Sequence, residues 1–182
     1  MQLPVTITSI NGERLTFLRI IEDEKGREIL EVENEVAPNA GPPMHVHHQQ
    51  DEWLAVIEGK IGYQELGKEK QYAGPGASVL FKAGVAHRFW NAGTTPLRCT
   101  GWISPPHNII YFLSEIYRSS NENKGRPGAF DAAFLLDRYK SEFAMLDIPH
   151  FVQKVIFPAT LFLGKLRGYH RKFDNAPLPV RQ

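Results

Sequence analysis

The sequence has little cysteine and no long apolar run. Its 182 residues include a single cysteine, Cys99, which excludes an intramolecular disulfide and leaves the redox compartment open. No window approaches 18 uncharged apolar residues, so neither a spanning helix nor stable membrane insertion is expected. The N-terminal residues also lack the basic start and apolar run of a secretory signal. These absences predict a cytoplasmic protein.

The net charge is small as well. A formal charge of +1 gives no general attraction for nucleic acid, so no nucleic-acid partner is expected. The charge is unevenly distributed, because residues 150–182 carry six basic residues and one acidic residue. The basic character is therefore concentrated at the C-terminal end.

Residues 1–104 have the pattern of a β protein. Short runs such as 15–20 and 27–36 place apolar residues at alternate positions, and turn formers separate them. Turn signals recur about every ten residues, which is typical of an antiparallel sandwich or barrel.

The pattern becomes helical after Ser104-Pro105-Pro106. Apolar residues follow a helical stripe over 107–119 and again over 129–146. A third helix is predicted to begin near Asp147 and to run to about residue 168, with a bend at Pro158.

We therefore divide the chain into a β part, residues 1–104, and a helical extension, residues 105–182. The helices are too apolar to stand alone and should pack on the β part or on a partner subunit. The basic end of the chain, counting Arg181, offers a third possibility, which is contact with an anionic membrane surface. Covering the barrel or a dimer partner is favoured, because surface-seeking helices usually carry more charge on their polar face.

Histidine is the residue type with the most unusual distribution. Three of the seven histidines lie between positions 45 and 48, in the stretch MHVHHQQDE. On an extended segment His45 and His47 share a face, whereas His48 points away. Glu52 begins the next apolar run, and His87 follows a glycine turn further on. Three imidazoles and one carboxylate suit one divalent transition metal, such as Fe, Mn, Ni, Zn or Cu.

The spacing around these residues resembles the two motifs of the cupin superfamily. The first motif is present as Gly41, His45-x-His47, four residues, Glu52, six residues and Gly59, with a shorter spacer than usual after Gly41. The second is present as Gly76, five residues, Lys82-Ala83-Gly84, two residues, His87, three residues and Asn91, with Lys82 in the place of the usual proline. The resemblance covers about residues 30–104.

This resemblance implies a mainly β fold, a double-stranded β-helix or jelly-roll barrel with C-terminal helices. It also implies a metal inside one mouth of the barrel, held by His45, His47, Glu52 and His87, and a homodimer.

Five further residues are predicted to line a pocket for a small-molecule ligand or substrate. Phe89 shares strand parity with His87, and Leu54 and Val56 share it with Glu52. These apolar residues fit a small-molecule pocket and a plain barrel core equally well. Tyr63 and Trp102 are further candidates at the pocket edge.

Two classes of function remain open from the sequence. The first is a metal-dependent enzyme. The resemblance points to oxidative cleavage of an enolic or aromatic compound, as in quercetinase-like and dioxygenase-like members, and less strongly to isomerisation or decarboxylation. In such an enzyme Glu52 could also act as a base if it left the ion. The alternative is a non-catalytic barrel that binds a small ligand, or one in which the metal is only structural.

Overall fold

The computed structural model describes residues 2–180. Within these residues the β part contributes ten strands. The extension contributes one more strand, which lies between its second and third α-helices. In chain order the strands are β1 Val5–Ser9, β2 Glu13–Glu22, β3 Glu28–Val36, β4 His45–His47, β5 Asp51–Glu58, β6 Ile61–Glu65, β7 Gln71–Ala73, β8 Ser78–Phe81, β9 His87–Asn91, β10 Leu97–Ser104 and β11 Phe143–Met145. The α-helices are α1 Ile109–Glu122, α2 Ala129–Arg138 and α3 Phe157–Leu166.

The strands form two antiparallel sheets. The six-stranded sheet has the order β1-β2-β3-β10-β5-β8, and the five-stranded sheet has the order β11-β4-β9-β6-β7. Strands that are distant in sequence, such as β3 and β10, are direct neighbours. The predicted jelly-roll sandwich with C-terminal helices is confirmed.

Two apolar clusters fill the interior, and each has residues from the six-stranded sheet. Strand alternation creates them, since β10 buries every second residue from Leu97 to Ile103. The barrel cluster lies between the sheets and contains Val36, Leu54, Val56, Ile61, Phe81, Phe89, Leu97 and Cys99. The helix-side cluster joins the same sheet to the extension and contains Leu15, Phe17, Leu30, Val32, Ile103, Ile109, Phe112, Phe130, Leu135, Tyr139, Phe143 and Phe173.

The predicted helix over 129–146 is wrong in its second half. Helix α2 ends at Arg138, and Phe143–Met145 form β11, which pairs antiparallel with β4. The edge of β4 would otherwise expose its backbone N–H and C=O groups, and β11 covers it. Phe143 is buried by the same pairing.

The predicted third helix is irregular where it begins. A π-helical segment, Val152–Ile156, precedes α3. After the end of α3 at Leu166, Gly168 has a φ of +76°. Residues 150–166 form one continuous helical run, and Pro158 lies inside it directly after the π-helical segment, so the irregularity falls next to the predicted bend. A short 3-10 helix, Tyr169–Phe173, completes the helical segments.

A membrane crossing by a helix is not supported within residues 2–180. None of the helices there combines the length and the apolar character that a bilayer span requires.

Candidate metal centre

The four predicted ligands come together inside the sandwich. One ligand atom from each of His45, His47, Glu52 and His87 lies within 4.8 Å of the others. The histidines project from β4 and β9 of the five-stranded sheet, where His45 pairs directly with His87. Glu52 projects from β5 of the opposite sheet. The cluster therefore joins the two sheets at one point.

Backbone carbonyls orient two of the rings. His45 Nδ1 lies 2.8 Å from the Pro43 carbonyl oxygen, and His87 Nδ1 lies 2.8 Å from that of Val85. Because a carbonyl oxygen only accepts, each Nδ1 carries the proton and donates it. This fixes the tautomer and leaves each Nε2 with a free electron pair for a metal.

The Nε2 atoms point toward the Glu52 carboxylate. His87 Nε2 lies 3.1 Å from Glu52 Oε2, and His47 Nε2 lies 3.9 Å from the same oxygen. An imidazole electron pair and a carboxylate oxygen are both acceptors, so a proton or a cation must lie between them. This arrangement fits a divalent ion.

Aromatic side chains hold two of the rings in place. Phe81 stacks on His87 with the ring centres 4.0 Å apart and the planes at 5°. Phe143, from β11 of the extension, meets the His47 ring edge-on at 5.5 Å. His47 Nδ1 is buried and has no hydrogen-bond partner among the described residues. Packing, rather than a second hydrogen bond, therefore positions His47.

The electrostatics give the protonation states that a metal requires. Burial lowers the pKa of His45 and lowers that of His47 to about 3. Burial alone would raise the pKa of Glu52, but the adjacent His87 ring and the other nearby imidazoles lower it to about 2. Neutral His47 and ionised Glu52 are the forms that bind metal ions. The chemistry of the donor set therefore allows this cluster to hold one divalent metal.

The cluster is nearly closed to solvent. His47, Glu52 and His87 are 5%, 8% and 1% exposed, whereas His45 is partly exposed. Access to the cluster is therefore on the His45 side.

The residues predicted to line a pocket have different positions. Leu54, Val56 and Phe89 are buried in the barrel cluster, and Tyr63 packs against that cluster with its ring edge-on to Phe81. Trp102 has the opposite parity to the buried Gly101 and Ile103 of β10. It stacks on Trp53 at 6.2 Å on the outer face of the sheet, so the structure does not bring it to the metal cluster.

Lys82, which departs from the cupin motif, has a partner in the structure. Its Nζ lies 2.6 Å from Asp51 Oδ2, and the backbone N–H of Ala83 donates to Asp51 Oδ1 at 2.9 Å. Asp51, the neighbour of Glu52, thus stabilises the turn at Lys82-Ala83-Gly84, which a proline stiffens in the usual motif.

Two aromatic residues at the cluster were missed by the sequence reasoning. Phe81 faces Glu52 across β5 and β8, but a strand register of this kind has no signal in one sequence. Phe143 was assigned to a helix, because FAM is too short to show a period of two.

The family comparison agrees with this geometry. A family model described as a cupin domain matches residues 32–103, which hold all four clustered residues. Residues 32–103 of the chain therefore form a cupin domain.

Two curated fungal proteins resemble parts of this cupin. The probable oxidoreductase virH of Hypocrea virens is 33% identical over 87 residues, which cover 44% of this chain and 40% of that protein. The oxidoreductase iacF of Pestalotiopsis fici is 36% identical over 67 residues, which cover 36% of this chain and 33% of that protein. The chain thus covers less than half the length of these relatives.

Among solved structures, KdgF from Halomonas sp. superposes on the cupin with a TM-score of 0.50 at 16% identity. The match covers 58% of this chain and 92% of KdgF. This likeness supports the fold alone.

Proposed function

We propose that this cupin binds one divalent transition metal through His45, His47, Glu52 and His87 and oxidises a small organic molecule in a dioxygenase-like reaction. The convergence of four ligand atoms within 4.8 Å carries the proposal. Its oxidoreductase character is supported by the likeness to the two fungal oxidoreductases.

The metal, when bound, would supply redox or Lewis-acid chemistry, including that needed for an isomerase or a decarboxylase. The chain's own residues would do the rest. Pro43 and Val85 hold the His45 and His87 rings by their Nδ1 atoms. Glu52 supplies the one negative charge of the cluster and is also the candidate base.

The burial of the cluster favours a second candidate function. Leu54, Val56 and Phe89, which would line the substrate pocket, are 2%, 2% and 4% exposed and pack against one another. A metal in such a filled interior could act as a structural element or hold a small ligand without turnover.

Elemental analysis of the purified protein, followed by metal titration, tests the site. We expect one equivalent of metal in the wild type and none in His87→Ala. His150→Ala is the matched control, because His150 is exposed on the extension. A full equivalent of metal in His87→Ala would overturn the assignment of ligands.

Oxygen uptake tests the reaction. The metal-loaded protein would be assayed with flavonols, catechols and β-diketones, and oxygen consumption that is absent from His87→Ala supports an oxygenase. Tightly bound zinc with no uptake would favour the structural function.

Three further features belong to the same proposal. We propose a homodimer, which light scattering would test, and a cytoplasmic location, which cell fractionation would test. The division at residues 104 and 105 is also proposed as the boundary between the cupin β-barrel and the helical extension that packs on it. In the structure β10 ends at Ser104 and α1 begins at Ile109.

A further inference from the structure

The C-terminal part of the extension carries large apolar side chains that face solvent. Residues 150–166 form one continuous helical run, in which the π-helical segment leads into α3. Seven large apolar side chains on this run and directly after it are between 44% and 72% exposed. They are Phe151, Val155, Ile156, Phe162, Leu163, Leu166 and Tyr169.

Six of these side chains occupy one face of the helical run. Starting from Phe151, further members follow after four, seven and four residues and end at Leu166. Intervals of this kind keep side chains on the same face of a helix. Two more members directly follow Val155 and Phe162 and widen this face. We call the set the exposed stripe, and its members are Phe151, Val155, Ile156, Phe162, Leu163 and Leu166.

The opposite face of the run packs on the rest of the extension. Gly164 contacts the Phe130 ring of α2 so closely that a Cβ would not fit, and Leu161 packs against the helix-side cluster. The exposed stripe is therefore turned away from the core. A contiguous apolar surface of this kind on a folded protein marks a site of contact with a partner.

The charges around the exposed stripe have one sign. Residues 148–173 contain five Lys and Arg residues and no Asp or Glu. Lys172 pairs with Asp131 of α2, whereas Lys154, Lys165 and Arg167 are exposed beside the stripe. A partner that covers the stripe therefore has to be apolar and also to accept cations.

A second copy of the same face does not meet this requirement. Packing two stripes together would bring the cations of both copies together, and neither segment has an acidic residue to pair with them. An anionic lipid surface offers both an apolar layer and negatively charged head groups. The charges therefore favour a membrane surface over self-association.

The structure also answers the reason for expecting a covering helix instead. That expectation rests on the low charge of the polar face, since surface-seeking helices usually carry more charge there. Here the face opposite the stripe packs on α2 and the helix-side cluster, so it is not a solvated polar face. The exposed cations lie beside the stripe, where long Lys and Arg side chains reach lipid head groups.

We propose that the exposed stripe binds the surface of an anionic phospholipid membrane. The helical run lies flat on the bilayer, with the apolar side chains of the stripe in the interfacial layer and Lys154, Lys165 and Arg167 at the level of the phosphate groups. The inference goes beyond the proposed function and does not depend on it, because the stripe and the candidate metal centre share no residue.

Flotation with lipid vesicles tests this interface. The full chain is mixed with vesicles made of equal parts of phosphatidylcholine and phosphatidylglycerol, or with vesicles of phosphatidylcholine alone. We expect binding to the anionic vesicles, little binding to the neutral ones, and weaker binding as the salt concentration rises. Failure of the wild type to bind anionic vesicles, or equal binding to both kinds, would overturn the proposal.

Two double variants separate the apolar and the charged contributions. Phe162→Ser with Leu166→Ser changes two exposed side chains, so the fold is retained by circular dichroism. We expect its partition coefficient on anionic vesicles to fall at least about tenfold. Lys165→Gln with Arg167→Gln should lower the same coefficient about tenfold, because two attractive charges are lost.

Matched controls carry the same changes outside the stripe. Leu66→Ser removes a side chain that is 61% exposed on the β part, and Lys25→Gln with Arg126→Gln removes two exposed cations. Both controls should bind anionic vesicles like the wild type. Stripe variants that keep wild-type binding, or controls that lose as much, would contradict the assignment of the contact to the stripe.

Light scattering without vesicles distinguishes the other occupant of this face. The stripe is an interface between copies of the chain, and the proposal is wrong, if the wild type self-associates, Phe162→Ser with Leu166→Ser abolishes the association, and the wild type does not bind anionic vesicles.

Discussion

The two parts of the C-terminal extension differ in how they meet the barrel. The first part, residues 105–146, places Ile109, Phe112 and Leu135 in a cluster with strands of the six-stranded sheet, and all three are at most 5% exposed. The second part, residues 147–180, leaves Phe162 and Leu166 64% and 72% exposed. Apolar content alone therefore does not tell which helix completes a core.

The contacts of the second part are few and specific. Gly164 of α3 packs directly against the Phe130 ring, where a Cβ would not fit. Lys172 pairs with the buried Asp131 of α2. Among residues 147–180, Phe173 is the one large apolar side chain that is fully buried. This part is attached to α2, and its contact with a partner subunit, the other predicted arrangement, stays a prediction.

The largest effect is expected from ending the chain after Ser104. This removes α1, α2 and β11, which cover the half of the six-stranded sheet that contains Phe17, Leu30 and Val32. Exposing such a cluster to water costs more free energy than the about 5–15 kcal/mol by which a typical domain is stable. We expect an insoluble or unfolded product, by circular dichroism and solubility.

A chain that ends after residue 146 is the comparison for this truncation. It keeps β11 and most of the helix-side cluster, so we expect a folded β signal with a lower unfolding midpoint. A soluble, cooperatively folding chain of residues 1–104 would show that the extension is an independent appendage.

The next largest effect is expected from Glu142→Ala. The Glu142 carboxyl is fully buried and accepts hydrogen bonds from Asn108 N and Nδ2 and from Val180 N at 2.7–3.1 Å. Loss of the carboxyl leaves three N–H donors without an acceptor, so we expect the free energy of unfolding to fall by about 2–3 kcal/mol. The Glu142 backbone oxygen also accepts a hydrogen bond from the N–H of His48, which directly follows β4 with His45 and His47. Because a shift of Glu142 would disturb β4, we expect the affinity for metal to fall too.

Urea unfolding and metal titration measure these two effects. Glu122→Ala is the control, because Glu122 pairs with Arg118 at the surface and should contribute less than about 1 kcal/mol. Equal losses in the two variants would mean that the buried carboxyl does not hold the extension in place.

An effect of similar size is expected from pH on the metal-stripped protein. His47 has a folded pKa of about 3 against an ordinary value of 6.5, so the unfolded chain binds the extra proton between these values. Glu52 behaves likewise between 4.5 and about 2. Stability is therefore full above pH 6.5 and falls as the pH decreases, by at most about 1.4 kcal/mol per pH unit for each group.

Urea unfolding midpoints at pH 7, 6, 5 and 4 measure this dependence. His47→Ala should flatten it between pH 6 and 4. Stability that rises on acidification would contradict the assignment of neutral His47 and ionised Glu52.

The parts of this molecule that the sequence predicts are those with local signals. The spacing of His45, His47, Glu52 and His87, through its resemblance to the cupin motifs, is enough to predict that these four side chains come together, and strand alternation fixes where each one points. The outer position of Trp102 had no such signal, because parity along one strand does not tell which face is inner. Phe143 has no such local signal, since it reaches His47 only through β11, whose three residues are too few to show a period of two.

The smallest effect is expected from Leu166→Ala. Leu166 is 72% exposed on α3, so its truncation removes little buried area, and alanine is a better helix former. We expect the free energy of unfolding to change by less than about 0.5 kcal/mol. Leu135→Ala, the same change at a fully buried position of α2, should lower the free energy of unfolding by about 2–5 kcal/mol.

Repeating both unfolding measurements at low and high protein concentration sharpens the contrast between the exposed and the buried leucine. If the exposed face of α3 binds a second copy of the chain, the effect of Leu166→Ala will grow with concentration while that of Leu135→Ala stays constant.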